Sequence, residues 1–148
     1  MDPEPSQAYS VNQCIDQIAQ TLEAANLHYG HGAIDAQSEA LWITSKQLDL
    51  SPADTLDHLE QMLTERQYQN AFLIAQQRID TRKPLAYLLG EAWLMGIPFF
   101  CSEQSIVPRS WIAELIVDGS LEPWLPAGGK ALDLCTGNGS LAILLALS

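Results

Sequence analysis

Residues 130–148, KALDLCTGNGSLAILLALS, decide the fold class predicted for this chain. An apolar run at residues 131–134 leads into a glycine turn at residues 135–139, and an apolar helical pattern follows. Strand, glycine turn and helix in this order are typical of a site for a nucleotide-type cofactor. Glycine lets the backbone approach the ligand, and the helix N-terminus offers N–H groups to an anion. The stretch predicts the first β-α unit of a parallel sheet whose other strands are missing from the sequence.

The residues of the glycine turn can be compared with two common cofactor-binding motifs. Cys135 stands where the first glycine of the dinucleotide fingerprint is expected, and no phosphate-loop lysine follows the turn. The turn therefore fits neither of those two motifs. The residues that this pattern marks as cofactor-binding are Asp133, Cys135, Thr136, Gly137, Asn138 and Gly139.

Charge is distributed unevenly along the chain. The net charge is −11, and residues 1–65 hold eleven acids and one base, whereas residues 66–148 hold seven acids and six bases. An acidic front half repels nucleic acid and attracts a basic partner by long-range steering. The alternative is that the acids only keep the helices soluble.

Several classes of protein fit the composition poorly. No apolar window is long enough for a membrane span, and the acidic N-terminus, MDPEPSQAYS, lacks the features of a signal peptide. Three distant cysteines form neither a disulfide framework nor a metal-ligand pattern, so no metal is expected. A reducing cytoplasm is the simplest location.

Apolar spacing predicts a helical front half. Helices are expected over about residues 7–25 and 35–48, from Ser51 through Leu63, and from about residue 68 to Arg82. Ser51 and the proline after it form a strong helix start.

From Leu85 onward the sequence is rich in aromatic and β-forming residues. Strands near residues 92–95 and 99–101, joined through residues 96–98, predict a hairpin. A short helix over residues 110–117 follows, with Ile112, Leu115 and Ile116 predicted to face inward.

Two groups of residues resemble a known family. Residues 133–139, DLCTGNG, resemble the first motif of S-adenosylmethionine-dependent methyltransferases that have a Rossmann-like sheet. Residues 84–88, PLAYL, and residues 107–109, VPR, with glycines and aromatics between them, resemble the hairpin linker of the HemK-type protein-glutamine methyltransferases. This resemblance covers about residues 10–148.

The resemblance implies a fold. That fold is a mainly α N-terminal domain, a β-hairpin linker and the first β-α unit of a truncated Rossmann-like domain. The expected boundaries are an acidic helical recognition domain at 1–82, a hairpin and helix linker at 83–125, and the start of the catalytic domain at 126–148.

The resemblance also implies an activity. The complete enzyme would methylate a glutamine side-chain amide in a protein. The family's Asn-Pro-Pro-Tyr loop, which binds that glutamine, does not occur in residues 1–148, and the resemblance places it beyond Ser148. No catalytic residue is therefore assigned up to Ser148, and these residues alone are expected to be inactive.

Two details favour one branch of the family. Residues 26–32, NLHYGHG, and the Cys135–Thr136–Gly137 sequence resemble enzymes that act on large-subunit ribosomal protein three, a basic partner. Methylation of a peptide-chain release factor is the alternative within the family. A non-catalytic protein-binding module is the alternative of another class.

Other side chains have open roles. Arg109 either pairs with Glu114 or contacts the active site. His28 and His31 have a spacing that suits a metal, but no further ligand pattern supports a site, so packing or partner contact is favoured.

Overall fold

The structure is a computed structural model that describes residues 8–30, 32–125 and 128–148. Three helices dominate its first half: α1 (Val11–Ala24), α2 (Ala36–Leu48) and α4 (Glu65–Thr81). Ser10 and Thr64 each form a capping box at the start of α1 and α4, with a glutamine three residues later. These caps satisfy N–H groups that a helix start leaves without partners.

One apolar core joins these helices. The helix predicted over about residues 7–25 is confirmed as α1, and its buried residues are Val11, Cys14, Ile15, Ile18, Ala19 and Leu22. Helix α2 contributes Ala40 and Ile43, and helix α4 contributes Ala71 and Ala75. Small residues on α2 and α4 let the helix axes approach closely, so that the larger side chains of α1 fill the space between them.

The third predicted helix is shorter than expected. Helix α3 covers only Pro52–Thr55 and continues as a 3₁₀ turn, Leu56–His58. The following segment instead bonds to the chain around the start of α1: Val11 N donates to Gln61 O and Leu63 N donates to Tyr9 O, each at 2.9 Å. These backbone bonds replace the helical ones, so the prediction of a helix through Leu63 is wrong.

A short helix and a hairpin follow. Helix α5 (Leu85–Leu89), which the sequence did not predict, ends at Gly90, and strands β1 (Glu91–Leu94) and β2 (Ile97–Phe100) pair antiparallel. Met95 and Gly96 connect the strands with φ values of 50° and 75°. Positive φ at both central residues is typical of the tight turn that matches strand twist. The hairpin is confirmed, but the predicted connection at residues 96–98 is wrong: Ile97 and Pro98 pair with β1, and the connection is Met95–Gly96.

Helices α6 (Trp111–Val117) and α7 (Ser140–Leu147) pack together beside the hairpin, and a 3₁₀ turn (Glu122–Trp124) lies between them in sequence. Their shared core contains Phe99, Ala113, Ile116 and Leu144. The predicted inward face of α6 is only partly correct. Ile116 is buried, but Ile112 and Leu115 are 49% and 42% exposed, because Ala113 occupies the contact with α7.

The strand predicted at residues 131–134 is absent. Within the described residues, the only ladder is the pair β1 and β2, and Leu132 and Leu134 are 86% and 80% exposed. A strand needs a neighbour to bond its N–H and C=O groups, and no described strand pairs with residues 131–134. The first β-α unit of a Rossmann-like sheet is therefore not formed in the described part of the chain, which has only its glycine turn and helix.

The side chain of Asp35 caps helix α2 and makes a pH-dependent contribution to stability. Its carboxylate accepts hydrogen bonds from the hydroxyl and the backbone N–H of Ser38, and these bonds lower the pKa of Asp35 below 3.8. Stability from a lowered carboxyl pKa is present at neutral pH and is lost as pH falls through that pKa.

We therefore expect Asp35→Ala to lower the free energy of unfolding by about 1 kcal/mol at neutral pH. The difference from the parent protein should narrow as pH falls below 3.8. Urea unfolding of both proteins across pH measures it. A difference that is constant down to the lowest pH would show that the charge of Asp35 does not contribute.

Candidate functional site

The glycine turn has a backbone shape that few residues adopt. Cys135, Gly137 and Gly139 all have positive φ, at 61°, 60° and 82°. Such angles cost little for glycine and more for a residue with a Cβ. A Cβ placed on Gly137 would meet no atom within 4 Å, so this side of the turn is open.

Hydrogen bonds inside the turn fix its path. The Thr136 hydroxyl donates to Asp133 Oδ2 at 2.8 Å, and Gly139 N donates to Thr136 O at 2.9 Å. The half-buried Asp133 is thereby oriented by the residue that follows Cys135. Three of the six predicted residues, Asp133, Thr136 and Gly139, are thus joined by hydrogen bonds. The exposed Cys135 lies between Asp133 and Thr136 with a left-handed backbone conformation.

Asn138 connects the turn to its neighbours. Its Nδ2 donates to Phe100 O at the end of β2 at 3.1 Å, and its Oδ1 accepts from Ser140 N at 3.3 Å. One side chain therefore ties the hairpin, the turn and the start of α7 together. The helix begins after Gly139, which offers no side-chain cap, so the other first-turn N–H groups remain without intrahelical acceptors.

Ser148, the last residue of this sequence, bonds to the last turn of α7. Its backbone N–H donates to Leu144 O and its hydroxyl donates to Leu145 O, each at 3.1 Å. Ser148 is not part of the glycine turn. The expectation that the glutamine-binding loop follows Ser148 concerns residues outside this sequence and stays a prediction.

A cleft opens between this turn and the hairpin. Its volume is about 630 Å³. Its lining includes Ile97, Phe99, Gly137, Asn138 and Ile143. The walls are mostly apolar, and Asn138 is the polar side chain of the turn that lines them. A mostly apolar cleft with a few polar groups is typical of a small-molecule site. Asp133 does not line this cleft; it lines a separate cleft of about 580 Å³, together with residues of α6 and α7.

The structure places Arg109 away from this turn. Its Nη1 donates to Gly30 O at 2.9 Å, and the side chain lines a different cleft, of about 570 Å³, with Ile34, Trp93 and Trp111. Arg109 makes no ion pair with Glu114, both of which belong to the described residues. The guanidinium therefore connects the linker before α6 to the loop after α1.

Two further arginines bind the same loop. Arg82 Nη1 donates to Asn26 O and Arg78 Nη2 donates to His28 O, each at 2.9 Å. With Arg109 on Gly30, three guanidinium groups hold three alternate carbonyls of residues 26–30. No local pattern signals this arrangement, because the partners lie 50, 56 and 79 residues apart.

Arg78 also forms a buried ion pair. Its Nε lies 2.9 and 3.1 Å from the two carboxylate oxygens of Glu39, and the two side chains are 3% and 5% exposed. Burial raises the pKa of the Glu39 carboxyl, and the hydrogen bond and charge of Arg78 offset part of that rise. The pair joins α2, α4 and the loop of residues 26–30 in one network.

The acidic front half keeps most of its charges free of basic partners. Over the described part of residues 8–65, Glu39 is the one acid in an ion pair, and Lys46, the one base, pairs with Glu91 of the hairpin. The other carboxylates described there are exposed, so the surface of the helical half is strongly negative.

Neither a metal site nor a membrane span is found in the described residues. No three residues of the types His, Cys, Asp and Glu come close enough there to hold a metal ion. His31, one of the two histidines considered for a metal, lies outside those residues. No described helix combines the length and the apolarity that crossing a bilayer requires.

Fold and site together define a helical domain followed by a hairpin and a glycine turn. Residues 13–90, more than half of the chain, match the family model described as the PrmC N-terminal domain. The chain belongs to the PrmC N-terminal domain family. The family resemblance inferred from residues 84–88, 107–109 and 133–139 is thereby confirmed.

Curated relatives extend the match across the whole chain. The protein named "Ribosomal protein uL3 glutamine methyltransferase" of Burkholderia pseudomallei (strain K96243) is 37% identical over 152 residues, which cover 100% of this chain and 49% of the relative. A protein of the same name from Bordetella pertussis (strain Tohama I / ATCC BAA-589 / NCTC 13251) is 43% identical, with coverages of 86% and 43%. One from Xylella fastidiosa (strain Temecula1 / ATCC 700964) is 35% identical, with coverages of 95% and 46%. The chain spans about half the length of these relatives.

Proposed function

We propose that the complete protein transfers a methyl group from S-adenosylmethionine to the side-chain amide of a glutamine in a large-subunit ribosomal protein. The observation that carries the proposal is the identity of 35–43% to three relatives named for this activity on uL3. Those names favour a ribosomal protein over a release factor as the acceptor. We also propose a cytoplasmic location, because bacterial ribosomes are assembled in the cytoplasm.

We assign the glycine turn to the methionine end of the cofactor. Asp133 supplies a carboxylate for the cofactor's ammonium group, and the first-turn N–H groups of α7 suit its carboxylate. Cys135, Thr136, Gly137, Asn138 and Gly139 give the backbone its shape there. The open side of Gly137 leaves room for the ligand to approach. When bound, the cofactor supplies an electrophilic methyl group on sulfur.

The residues described here contribute binding and orientation. An amide nitrogen is a weak nucleophile because its lone pair is delocalised, so catalysis depends on alignment and on electrostatic support of the polarised amide. Asn138 fixes the turn relative to the hairpin, and the hairpin is fixed to the helices through Lys46 and Glu91. The domain division proposed at 1–82, 83–125 and 126–148 assigns acceptor recognition to the first part and cofactor binding to the last.

Methyl transfer by the complete protein tests this proposal. Purified protein, S-adenosylmethionine with a labelled methyl group and unmethylated large-subunit ribosomal proteins are mixed, and the acceptor is located by mass spectrometry. We expect label on one glutamine of uL3. Label on a release factor alone would replace the acceptor, and no label on any protein would refute a methyltransferase role. Asp133→Ala should lower transfer at least about tenfold, because the loss of a half-buried charged contact costs more than about 1.4 kcal/mol.

A further inference from the structure

A second cleft lies on the helical half, on elements that the glycine turn does not touch. It is formed by α1, α2 and the 3₁₀ turn after α3, has a volume of about 240 Å³, and is here named the α1–α2 cleft. Its lining includes Asn12, Ile15, Ser38, Leu41, Leu56 and Leu59. The volume suits one aliphatic side chain rather than a cofactor-sized ligand.

The floor of the α1–α2 cleft is apolar. Ile15 is 3% exposed and belongs to the main core, and Leu41 and Leu59 are partly buried against that core. Leu56 stands at the edge and is 54% exposed. An aliphatic group that enters the cleft would therefore contact apolar atoms on three elements and would cover Leu56.

The rim of the cleft is negative. Asp16 Oδ2 accepts from Asn12 Nδ2 at 3.4 Å, and Asp35 Oδ1 accepts from Ser38 Oγ at 2.7 Å, which places two carboxylates against lining side chains. Asp57 and Glu60 directly follow the lining residues Leu56 and Leu59 in sequence, so their backbones lie beside the cleft. All four acids are exposed, and none forms an ion pair with a described base.

We propose that the α1–α2 cleft docks a basic segment of the acceptor protein, with one aliphatic side chain in the cleft and lysine or arginine side chains on its rim. The proposal rests on the function proposed above and names where that partner binds. Charge complementarity selects the occupant: nucleic acid and a second copy of this chain, with its net charge of −11, are both repelled by the rim. A positive partner gains steering from the rim and burial from the floor.

Binding of purified uL3 to the complete protein, measured by fluorescence anisotropy at low salt, tests the cleft. The double variant Asp16→Asn/Asp57→Asn neutralises two rim charges. Its control, Glu23→Gln/Asp49→Asn, neutralises two exposed acids of the same half that do not line the cleft. We expect the Kd of the rim variant to rise about three- to tenfold, since each exposed ion pair contributes a modest energy, and that of the control to rise less than about twofold.

A second pair of variants tests the apolar floor. Leu56→Ala removes the aliphatic edge of the cleft, and Leu73→Ala removes a comparably exposed leucine on α4, outside it. Only Leu56→Ala should weaken binding of uL3, by about threefold or more, and this loss should persist at high salt, where the rim effect fades. Circular dichroism melts check that all four variants are folded.

The outcomes separate the cleft from the proposed function. Equal losses in the rim variant and its control would show diffuse attraction and overturn the cleft, as would unchanged binding in all variants. If the cleft variants bind uL3 more weakly but keep an unchanged kcat at saturating uL3, the cleft contributes to binding and not to the methyl-transfer step. If the complete protein transfers no methyl group but the cleft variants still lose binding of uL3, the docking surface stands while the proposed function fails.

Discussion

Replacing Arg78 by methionine is expected to lower the free energy of unfolding by about 3–5 kcal/mol. The change leaves the Glu39 carboxylate without a partner in an environment where its side chain is 5% exposed, and it removes the donor to His28 O. Methionine has a similar length and fills the space, so the loss reports the unpaired charge rather than a cavity.

The effect of Arg78→Met should depend on pH. Burial raises the pKa of Glu39 above its ordinary value of 4.5, and Arg78 opposes that rise, so the variant raises the pKa further. A carboxyl whose folded pKa is raised binds its proton more tightly in the folded state, and stability falls as pH rises through the raised value. The deficit should therefore be smallest near pH 4.5 and should grow toward neutral pH.

Urea unfolding followed by circular dichroism measures these differences. The control is Arg66→Met, which removes an exposed arginine from the same helix α4 and should cost less than about 0.5 kcal/mol. The double variant Glu39→Leu/Arg78→Met removes both charges and should recover most of the loss. A single variant within about 1 kcal/mol of the parent protein, or a double variant that is less stable than either single one, would contradict a paired buried charge.

Sequence patterns correctly predicted the elements that are stabilised by contacts between residues close together in the sequence. Helices α1, α2 and α4 have apolar spacing and caps that lie within a few residues of each other, and the hairpin is marked by Gly96 between two β-forming runs. Helix α5 was missed because it was grouped with the aromatic and β-forming residues that follow Gly90, although Pro84 suits a helix start and residues 85–89, LAYLL, are mostly helix formers. It ends at Gly90, whose φ of 70° is typical of a helix stop.

Predictions were wrong where contacts between residues far apart in the sequence determine the local structure. The helix that begins at Pro52 ends early because residues 59–63 bond to the backbone around α1. Residues 131–134 have a strand-like composition, but a strand exists only with a neighbour. The three arginines on residues 26–30 could not be foreseen either, since any of the seven basic residues of the chain could reach a given carbonyl.

The candidate cofactor site was predicted in composition and only partly in structure. Thr136 bonds to Asp133, Asn138 bonds to Phe100, and Gly137 and Asn138 line the cleft beside the hairpin. That these residues bind a cofactor stays a prediction. Arg109 was predicted either to pair with Glu114 or to contact the active site. It makes no ion pair with Glu114 and donates to Gly30 O, and its contact with the active site stays a prediction. Its distance in sequence from that loop, 79 residues, leaves no pattern from which the contact could be derived.

The second large effect concerns cofactor affinity. The glycine turn is held from one side by Phe100 and the start of α7, whereas Leu132 and Leu134 before it are 86% and 80% exposed. A turn with no sheet behind it is not preorganised, and ligand binding must then order it at the expense of affinity. We therefore expect residues 1–148 alone to bind S-adenosylmethionine at least about a hundredfold more weakly than the complete protein does.

Titration calorimetry of S-adenosylmethionine into both proteins tests the central claim that residues 133–139 are one part of a methyltransferase cofactor site. The complete protein should bind with a dissociation constant in the micromolar range, about −8 kcal/mol, and Gly139→Val, which forces a branched side chain onto a φ of 82°, should remove that binding. Residues 1–148 alone should show no saturation at micromolar cofactor. Micromolar binding by residues 1–148 would show that the turn suffices without a sheet, and a complete protein that binds no S-adenosylmethionine, or binds it unchanged with Gly139→Val, would contradict the assignment of the turn.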